Sequence, residues 1–457
     1  MTSRYFEEAA PARVLAEYPI GDAFLAGPAR LSRDALRVLQ ETRFKAVMAR
    51  AWAVPFYRRR WNAAGIEPGD ITGLDDLSKL PPFSKSDLME SVEAYPPFGD
   101  YHGRDDDFPN AVLHTTSGTT GTPQPLFFGP WDREVQNALL ARAYLLQGMG
   151  AKDVVHSVYG YGMVNGGHYV REAVTRYTDA LYVPAGTGRD TPTVQQVESM
   201  QRYGATAIVG FADYVKRLAE AAVEAGLTPG VDIPMRMICG HIGQEDKDAI
   251  SAAWGGAAVY DWYGVGDTGI IAGEGPAQNG LYVWEDAHIV EMLNPETNAP
   301  VADGQAGNIC ATCLFKTGIY PIVRFDTKDM STLLPPDPAS GIGFRRMPGF
   351  QGRSDNMVKL RGINVYPTAI GAMLDPHPAT TGEYICQLTR EGGRDELTVV
   401  IEARGSSPTL ADELAEQLKR HLGVLVGVTL VEPGATAAET QVESRQKPIR
   451  LIDLRDL

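Results

Sequence analysis

The sequence predicts an α/β protein: a large domain with mostly parallel sheets, a β-rich subdomain, and a small α+β domain at the C-terminus. Three observations predict it. Between residues 153 and 264, short apolar runs rich in β-branched residues alternate with helical patterns, the signature of parallel strands joined by crossover helices. After about residue 280 the helical spacing gives way to strand-like runs. The last ninety or so residues then combine such runs with one amphipathic helical pattern.

Taken in order, residues 30–62 (ARLSRDALRVLQETRFKAVMARAWAVPFYRRRW) show helical spacing with a basic face, which reads as an amphipathic helix covering a larger core. SKLPPFSKSDL (78–88) and AYPPFGDYHGRDDDF (94–108) are turn-rich connections. DVVHSVYG, ALYVPA, TAIVGF, MRMICG and AAVYDWYG read as short buried strands, with helices at TVQQVESMQRYG and DYVKRLAEAAVEAGL. The β-rich stretch comprises LYVWEDAHIVEML, GNICATCLF and YPIVRFD. In the tail, ICQLTR, ELTVVIEAR and VTLVEP read as strands and TLADELAEQLKRHLG as a helix. Gly349, Gly352 and Ser354 mark a boundary, giving a large domain over 1–352 and a small one over 353–457.

The totals exclude several functions. The 457 residues are long for one core. Forty-two Lys plus Arg against 57 Asp plus Glu leave −15, which argues against nucleic acid or an anionic membrane as the main partner. The opening MTSRYFEEAAPARV does not read as a secretory signal, and no apolar run is long enough to span a bilayer. Four Cys make no disulfide framework, which fits a reducing cytoplasm.

The chemistry-bearing stretches begin at HTTSGTTGTPQP (114–125). Glycines there let backbone N–H groups converge on anionic oxygens and hydroxyls add donors, but the stretch carries no lysine and does not match a Walker loop. DWYGVGDTG (261–269) ends an apolar strand with an aromatic, a glycine turn and an acid that could hold Mg²⁺ against phosphates. YPIVRFDTKDM offers Asp326 and Asp329 after a strand, where an acid can accept from ribose hydroxyls. GRSDNMVKLRG and ESRQKPIRLIDLRD follow, the latter with Lys447 between Arg445 and Arg450. Cys310 and Cys313 have a C-x-x-C spacing, yet residues three apart on a strand face opposite sides, so they read as core. Cys239, His241, Cys310 and Cys313 are the constellation in which a metal would be sought.

These stretches, in this order along nearly the whole chain, resemble the adenylate-forming superfamily of acyl- and aryl-CoA ligases, and within it the phenylacetate–CoA ligase group. VPFYRRRWNAAGI with LDDLSKLPPFSKSDL is similar to that group's N-terminal signature, TTSGTTGTPQP to its phosphate loop, and YGYGMVNGGHYV to its acyl-pocket segment. FADYVKRLAE stands where the group has a Pro-Ser-Tyr segment. DWYGVGDTG resembles the Tyr-Gly-x-Ser/Thr-Glu motif and VRFDTKDM the Arg-Tyr-x-Thr-x-Asp motif. GRSDNMVKLRGINVYP resembles the hinge, and RQKPIRLIDLRD the segment carrying the catalytic lysine.

The resemblance implies ATP, Mg²⁺ and CoA as reactants and cofactor, a small-molecule acid as substrate, and a cytoplasmic homodimer. Ser117, Gly118, Thr119, Thr120 and Gly121 would line the ATP phosphates, Tyr263 would pack on adenine, and Asp329 with Arg353 would hold the ribose. Asp267 would be the Mg²⁺ ligand and, with Lys447, the catalytic pair. Tyr161, Met163, His168, Phe211, His241 and Trp262 are the acyl-pocket candidates, aromatic enough for an aryl or arylalkyl acid. Asp355 would be the hinge of a mobile C-terminal domain, and Gly362 would let the pantetheine arm pass. The chain departs from the group at Thr122, where many relatives have lysine, at Gly266 for Ser/Thr, at Asp267 for Glu, and at Ile242 near where relatives often have an acid. Two other readings stay open: adenylation with another acceptor (an amine, a carrier-protein thiol, or nitrite activation for diazotisation), and a non-catalytic nucleotide-binding protein.

Overall fold

The computed structural model describes residues 4–103, 110–116, 123–355, 358–361, 363–374, 377–391, 394–405, 409–442 and 448–455. The chain forms two compact units, one of residues 1–184 with 260–349 and one of residues 185–259 with 350–457.

The first unit opens with three short helices, α1 (Arg4–Ala9), α2 (Pro11–Glu17) and α3 (Gly21–Ala26), followed by α4 (Arg33–Ala53) and α5 (Pro55–Ala63). The single amphipathic pattern expected over 30–62 is thus two helices, because Pro55 has no N–H to continue the first and instead starts the second. Ser32 caps α4 by accepting from the Ala35 N–H at 3.2 Å. Leu36, Phe44, Val47, Met48 and Ala51 form its buried stripe. The basic face is taken up by protein partners: Arg33 pairs with Glu285 at 2.6 Å and Arg60 with Asp87 at 2.7 Å, while Arg50 donates to the Gly318 carbonyl at 2.6 Å.

Helix α6 (Lys85–Ala94) leads to the hairpin β1 (Val112–Thr115) and β2 (Pro125–Phe128) and then to α7 (Pro130–Leu146). Thirteen of the 17 residues of α7 are buried, so it is a central helix enclosed on every side. Its Arg142 is fully enclosed and forms a bidentate pair with Asp286, at 2.8 and 2.9 Å, while its guanidinium lies 4.3 Å from the Phe24 ring centre. Next come the parallel strands β3 (Val154–Ser157) and β4 (Leu181–Pro184), linked by α8 (Gly166–Tyr177).

The second unit begins with α9 (Thr193–Tyr203), β5 (Ala207–Phe211), α10 (Ala212–Glu224), β6 (Met237–His241) and α11 (Lys247–Ala253), and β5 and β6 run parallel. Gly240 lies opposite Gly210, and a Cβ at 240 would overlap the Gly210 carbonyl. Residues 260–349 return to the first unit, with antiparallel pairing. β7 (Ala258–Val265), β8 (Gly269–Glu274) and β9 (Leu281–Val283) form a meander that β13 (Arg346–Met347) extends. β10 (His288–Leu293), β11 (Ala306–Cys313) and β12 (Phe325–Thr332) form a three-stranded antiparallel sheet.

The C-terminal stretch has its own core. β14 (Val358–Leu360) and β15 (Ile363–Val365) form a hairpin, and α12 (Ile370–Leu374) follows. β16 (Thr380–Glu391) and β17 (Arg394–Ala403) are antiparallel neighbours. β18 (Gly427–Val431) runs parallel to β17, and β19 (Leu451–Asp453) runs parallel to β16. Helix α13 (Leu410–Leu422) buries Leu410, Leu414 and Leu418. It follows the rules of an isolated amphipathic helix: acids in the first turn, Lys419, Arg420 and His421 in the last, and Gly423 at φ +73° ending it. The described helices include none long and apolar enough to cross a membrane.

The Arg142–Asp286 pair yields a test of the first unit. Removing one partner of a buried pair leaves a charge without compensation, which costs about 3–5 kcal/mol. Arg142→Met is expected to lower the denaturant midpoint accordingly, and Arg142→Met with Asp286→Leu to recover much of the loss. A double variant no more stable than the single one would show that packing on Phe24, rather than charge, is what Arg142 supplies.

Candidate active site

One half of the site is built on a bulge in β12. The β11–β12 register runs Cys310↔Asp326 and resumes at Asn308↔Met330, so Thr327, Lys328 and Asp329 together oppose Ile309. Lys328 takes φ +62° there, and the Thr327 hydroxyl donates to the Ile309 carbonyl at 2.9 Å. The bulge turns Thr327 and Asp329 toward Tyr263 of β7, whose hydroxyl is 2.8 Å from Asp329 Oδ2 and 3.1 Å from Thr327 Oγ1. Both acids expected after a strand therefore lie inside one. The stretch YPIVR is not strand, because Arg324 adopts φ +57° and the pairing starts only at Phe325. Asp326 is committed to Lys328, at 2.7 Å, and to Asn308, at 3.2 Å.

The other half centres on Asp267, in the turn between β7 and β8. Its Oδ1 accepts from Gln124 Nε2 and from the Tyr320 hydroxyl, both at 2.7 Å, and the residue is only 5% exposed. Gly266 fits beside it because a Cβ there would come 2.9 Å from Leu126 Cδ1. A carboxylate fixed by two donors suits Mg²⁺, which binds hard oxygen and usually takes one or two carboxylates with substrate phosphates and water.

Behind Asp267 lies a cation that the sequence does not flag. Lys316 is fully buried, its Nζ 4.8 Å from the Tyr320 ring centre and 5.4 Å from that of Phe128. Burial pulls its pKa down, while Cys313, Asp132 and Asp267 oppose the shift. Burial likewise pushes the Asp132 carboxyl up to about 7, against the pull of Lys316, Arg50 and the Gly318 backbone.

The acyl-pocket candidates fall in both units. In the first, the His168 ring packs edge-on against Tyr161 at 5.3 Å, the Tyr161 hydroxyl bonds that of Tyr182 at 2.9 Å, and Trp262 lies 6.4 Å from the Tyr159 and Tyr169 rings. The Met163 side chain is 60% exposed, while its carbonyl accepts from the Thr115 N–H at 2.8 Å. In the second, Phe211 and His241 are register partners on β5 and β6 with rings stacked at 4.8 Å. Ile242 is buried beside them in sequence.

Arg353 and Asp355 form a bidentate pair, at 2.8 and 2.6 Å, so each engages the other. Arg450 anchors the C-terminal strand through Glu383 at 2.8 Å and Asp213 at 3.3 Å. Ser117, Gly118, Thr119, Thr120, Gly121, Thr122, Gly362 and Lys447 lie outside the described residues. All four cysteines are buried and none is in a disulfide, and among the described residues no group of three His, Cys, Asp or Glu side chains could hold a metal.

Comparison with known proteins bears on this arrangement. Residues 362–455 match the family model of the AMP-binding enzyme C-terminal domain. The phenylacetate–coenzyme A ligase of Aromatoleum evansii is 30% identical over 446 residues, covering 93% of this chain and 96% of the relative. The chain belongs to the phenylacetate–coenzyme A ligase family. Among solved structures, 2-hydroxyisobutyryl-CoA ligase in the postadenylation state, bound to R3-HIB-AMP, superposes with a TM-score of 0.84 at 27% identity, covering 94% of this chain and 91% of that one. The same ligase with 2-HIB-AMP and CoA in the thioesterification state gives 0.69 at 28% identity, covering 94% and 92%.

As a member of the phenylacetate–coenzyme A ligase family, the chain is an AMP-forming ligase. Sequence reasoning missed Gln124, Thr327, Tyr320, Lys316 and Asp132. The first three sit inside quoted motifs and could have been singled out as polar residues beside an assigned acid. The last two carry no pattern.

Asp132 supplies a pH test. Its folded value of about 7 lies above the unfolded 3.8, so the folded state binds more protons between those limits, and stability falls as pH rises through that window. The loss is on the order of 4 kcal/mol. Asp132→Asn is expected to flatten this slope, its stability relative to the parent rising from pH 4 to pH 7.5. Parallel stability curves for the two proteins would mean that Asp132 is not held protonated.

Proposed function

We propose that this chain activates an aromatic or arylalkyl carboxylic acid with ATP and transfers the acyl group to CoA. A carboxylate oxygen of the acid attacks the α-phosphorus, the α–β anhydride bond breaks, and pyrophosphate leaves. The CoA sulfur then attacks the acyl carbon, AMP leaves, and the thiol proton passes to solvent. The protein supplies positioning and charge. The observation that carries the reading is the bulge, which puts Asp329 and Thr327 on the hydroxyl of Tyr263, 66 residues away in sequence.

In this reading Tyr263 packs on adenine and Asp329 holds the ribose, with Arg353 joining it once released from Asp355. Ser117, Gly118, Thr119, Thr120 and Gly121 line the phosphates. Asp267 presents its carboxylate to Mg²⁺, held in place by Gln124 and Tyr320. Bound there, Mg²⁺ neutralises phosphate charge. Tyr161, Met163, His168, Phe211, His241 and Trp262 line the acyl pocket. Lys447 neutralises the carboxylate and α-phosphate as they meet. Residues 353–457 act as a lid pivoting at Asp355, with Gly362 beside the pantetheine arm. The self-contained core that runs from Val358 to Val426 is consistent with such a lid. The enzyme is proposed to work as a cytoplasmic homodimer.

Pyrophosphate release across a panel of aromatic acids, with and without CoA, tests the reading. Release that needs an acid, and a thioester that needs CoA, are expected. A product formed equally well with an amine or nitrite in place of CoA would move the assignment to another acceptor. Lys447→Ala is expected to slow adenylation by ~10²–10³ while sparing thioester formation from supplied acyl-AMP, as loss of a preorganised charge does. Equal damage to both half-reactions would count against its role. Asp267→Ala should raise the Mg²⁺ concentration needed for half-maximal rate, and Asp329→Ala should raise the KM for ATP at unchanged metal demand. Superimposable metal titrations would show the two roles to be wrongly divided.

A further inference from the structure

Within the first unit a small pocket opens between β1, α7 and α8, lined by His114, Arg133, Gln136, Asn137, His168 and Glu172 among others. Its lining is mostly polar, with Phe128 and Tyr169 adding an aromatic share. Gln136 is 2% exposed, and its side-chain Nε2 has no hydrogen-bond partner among the described residues. Leaving a buried amide N–H unpartnered is unfavourable, a penalty that a ligand able to bond it would remove. The pocket has room for about one water-sized group, so only the end of a ligand fits it.

The pocket adjoins the acyl segment. His168 on its wall packs against Tyr161 at 5.3 Å and against His114 at 5.2 Å. Tyr169, also on its wall, lies 6.4 Å from Trp262. One acyl-pocket candidate, His168, thus lines it, and two more, Tyr161 and Trp262, pack against its wall.

Charge and hydrogen bonding narrow the chemistry of that end. Arg133 is already paired with Glu172 at 2.7 Å, and Glu172 also accepts from Asn137 at 3.1 Å, so the wall offers no uncommitted cation for a second carboxylate. Burial and the neighbouring His168 lower the pKa of His114 and keep it neutral. An ammonium group could not accept from the Gln136 amide. A hydroxyl donates and accepts at one atom, and so satisfies that amide whichever end it presents.

Resting on the ligase reading, we propose that the acid activated by this chain carries a hydroxyl group, which enters this pocket and hydrogen-bonds Gln136. Gln136 is then a specificity-determining residue for the reaction.

The test compares pyrophosphate release for paired acids that differ by one hydroxyl: phenylacetate with its 3- and 4-hydroxy forms, benzoate with 3- and 4-hydroxybenzoate, and cinnamate with 4-hydroxycinnamate. At least one hydroxy acid is expected to exceed its parent about tenfold or more in kcat/KM, because the parent leaves the amide unpaired. Gln136→Leu should bring that ratio close to one, and Gln136→Asn should restore part of it. The wild-type ratio stands by itself if the leucine variant fails to fold. Ratios near one for every pair in the wild type, with pyrophosphate still released, would overturn the hydroxyl proposal and leave the ligase reading intact. No release with any acid would overturn both.

Discussion

The ion pair of Arg324 with Glu291 is the contact on which the geometry around Tyr263 in the first unit depends. Arg324 is 2% exposed and sits at φ +57°, a backbone region that costs a non-glycine residue roughly 1–3 kcal/mol. Two bonds to Glu291, at 2.9 and 3.0 Å, and others to the Ser78 and Leu80 carbonyls hold it there. The strand β12 can begin only after this residue, so its position sets where the bulge falls. The bulge in turn sets which side chains meet Tyr263. A segment from the N-terminal helical region, a β-sheet and the buried hydroxyl of Tyr263 are thereby linked through one guanidinium.

Around Asp267 the protein solves a different problem, that of keeping a short carboxylate in place inside a dry region. Gln124 and Tyr320 donate to one oxygen, and Lys316 stands behind Tyr320 without a direct hydrogen bond among the described residues. In a low-dielectric interior such a cation acts at longer range than it would in water. Both donors are themselves buried, so they reach the acid from the interior rather than from the surface.

Legibility followed the physics of each element. Helix α13 was readable because a single leucine stripe, its charged ends and Gly423 all agree. The strands of residues 154–265 were readable as apolar runs of the right length, but β4, expected to be buried, is not: Leu181 is 61% exposed. Helix α7 escaped notice because it is buried all round and so lacks the periodic contrast that marks a surface helix. Motif residues Tyr263, Asp267 and Asp329 could be picked from their flanking patterns. Their partners could not, since the Tyr263–Asp329 contact depends on a bulge, and bulges come from long-range register. Pro55 was visible in the sequence, and its lack of an N–H accounts for the break in the long amphipathic pattern.

Gly210 and Gly240 face each other across β5 and β6 with no space for a methyl group between them. Phe211 and His241, one step further along the same two strands, have no such restriction and stack their rings. Under mutation the two neighbouring rungs of this ladder are therefore unequal. The glycine rung is frozen by backbone contact whatever acid the enzyme handles, whereas the aromatic rung beside it can drift without breaking the strands. Side-chain divergence has an open door at 211 and 241 and a closed one at 240, so an invariant glycine there would record the spacing of two strands.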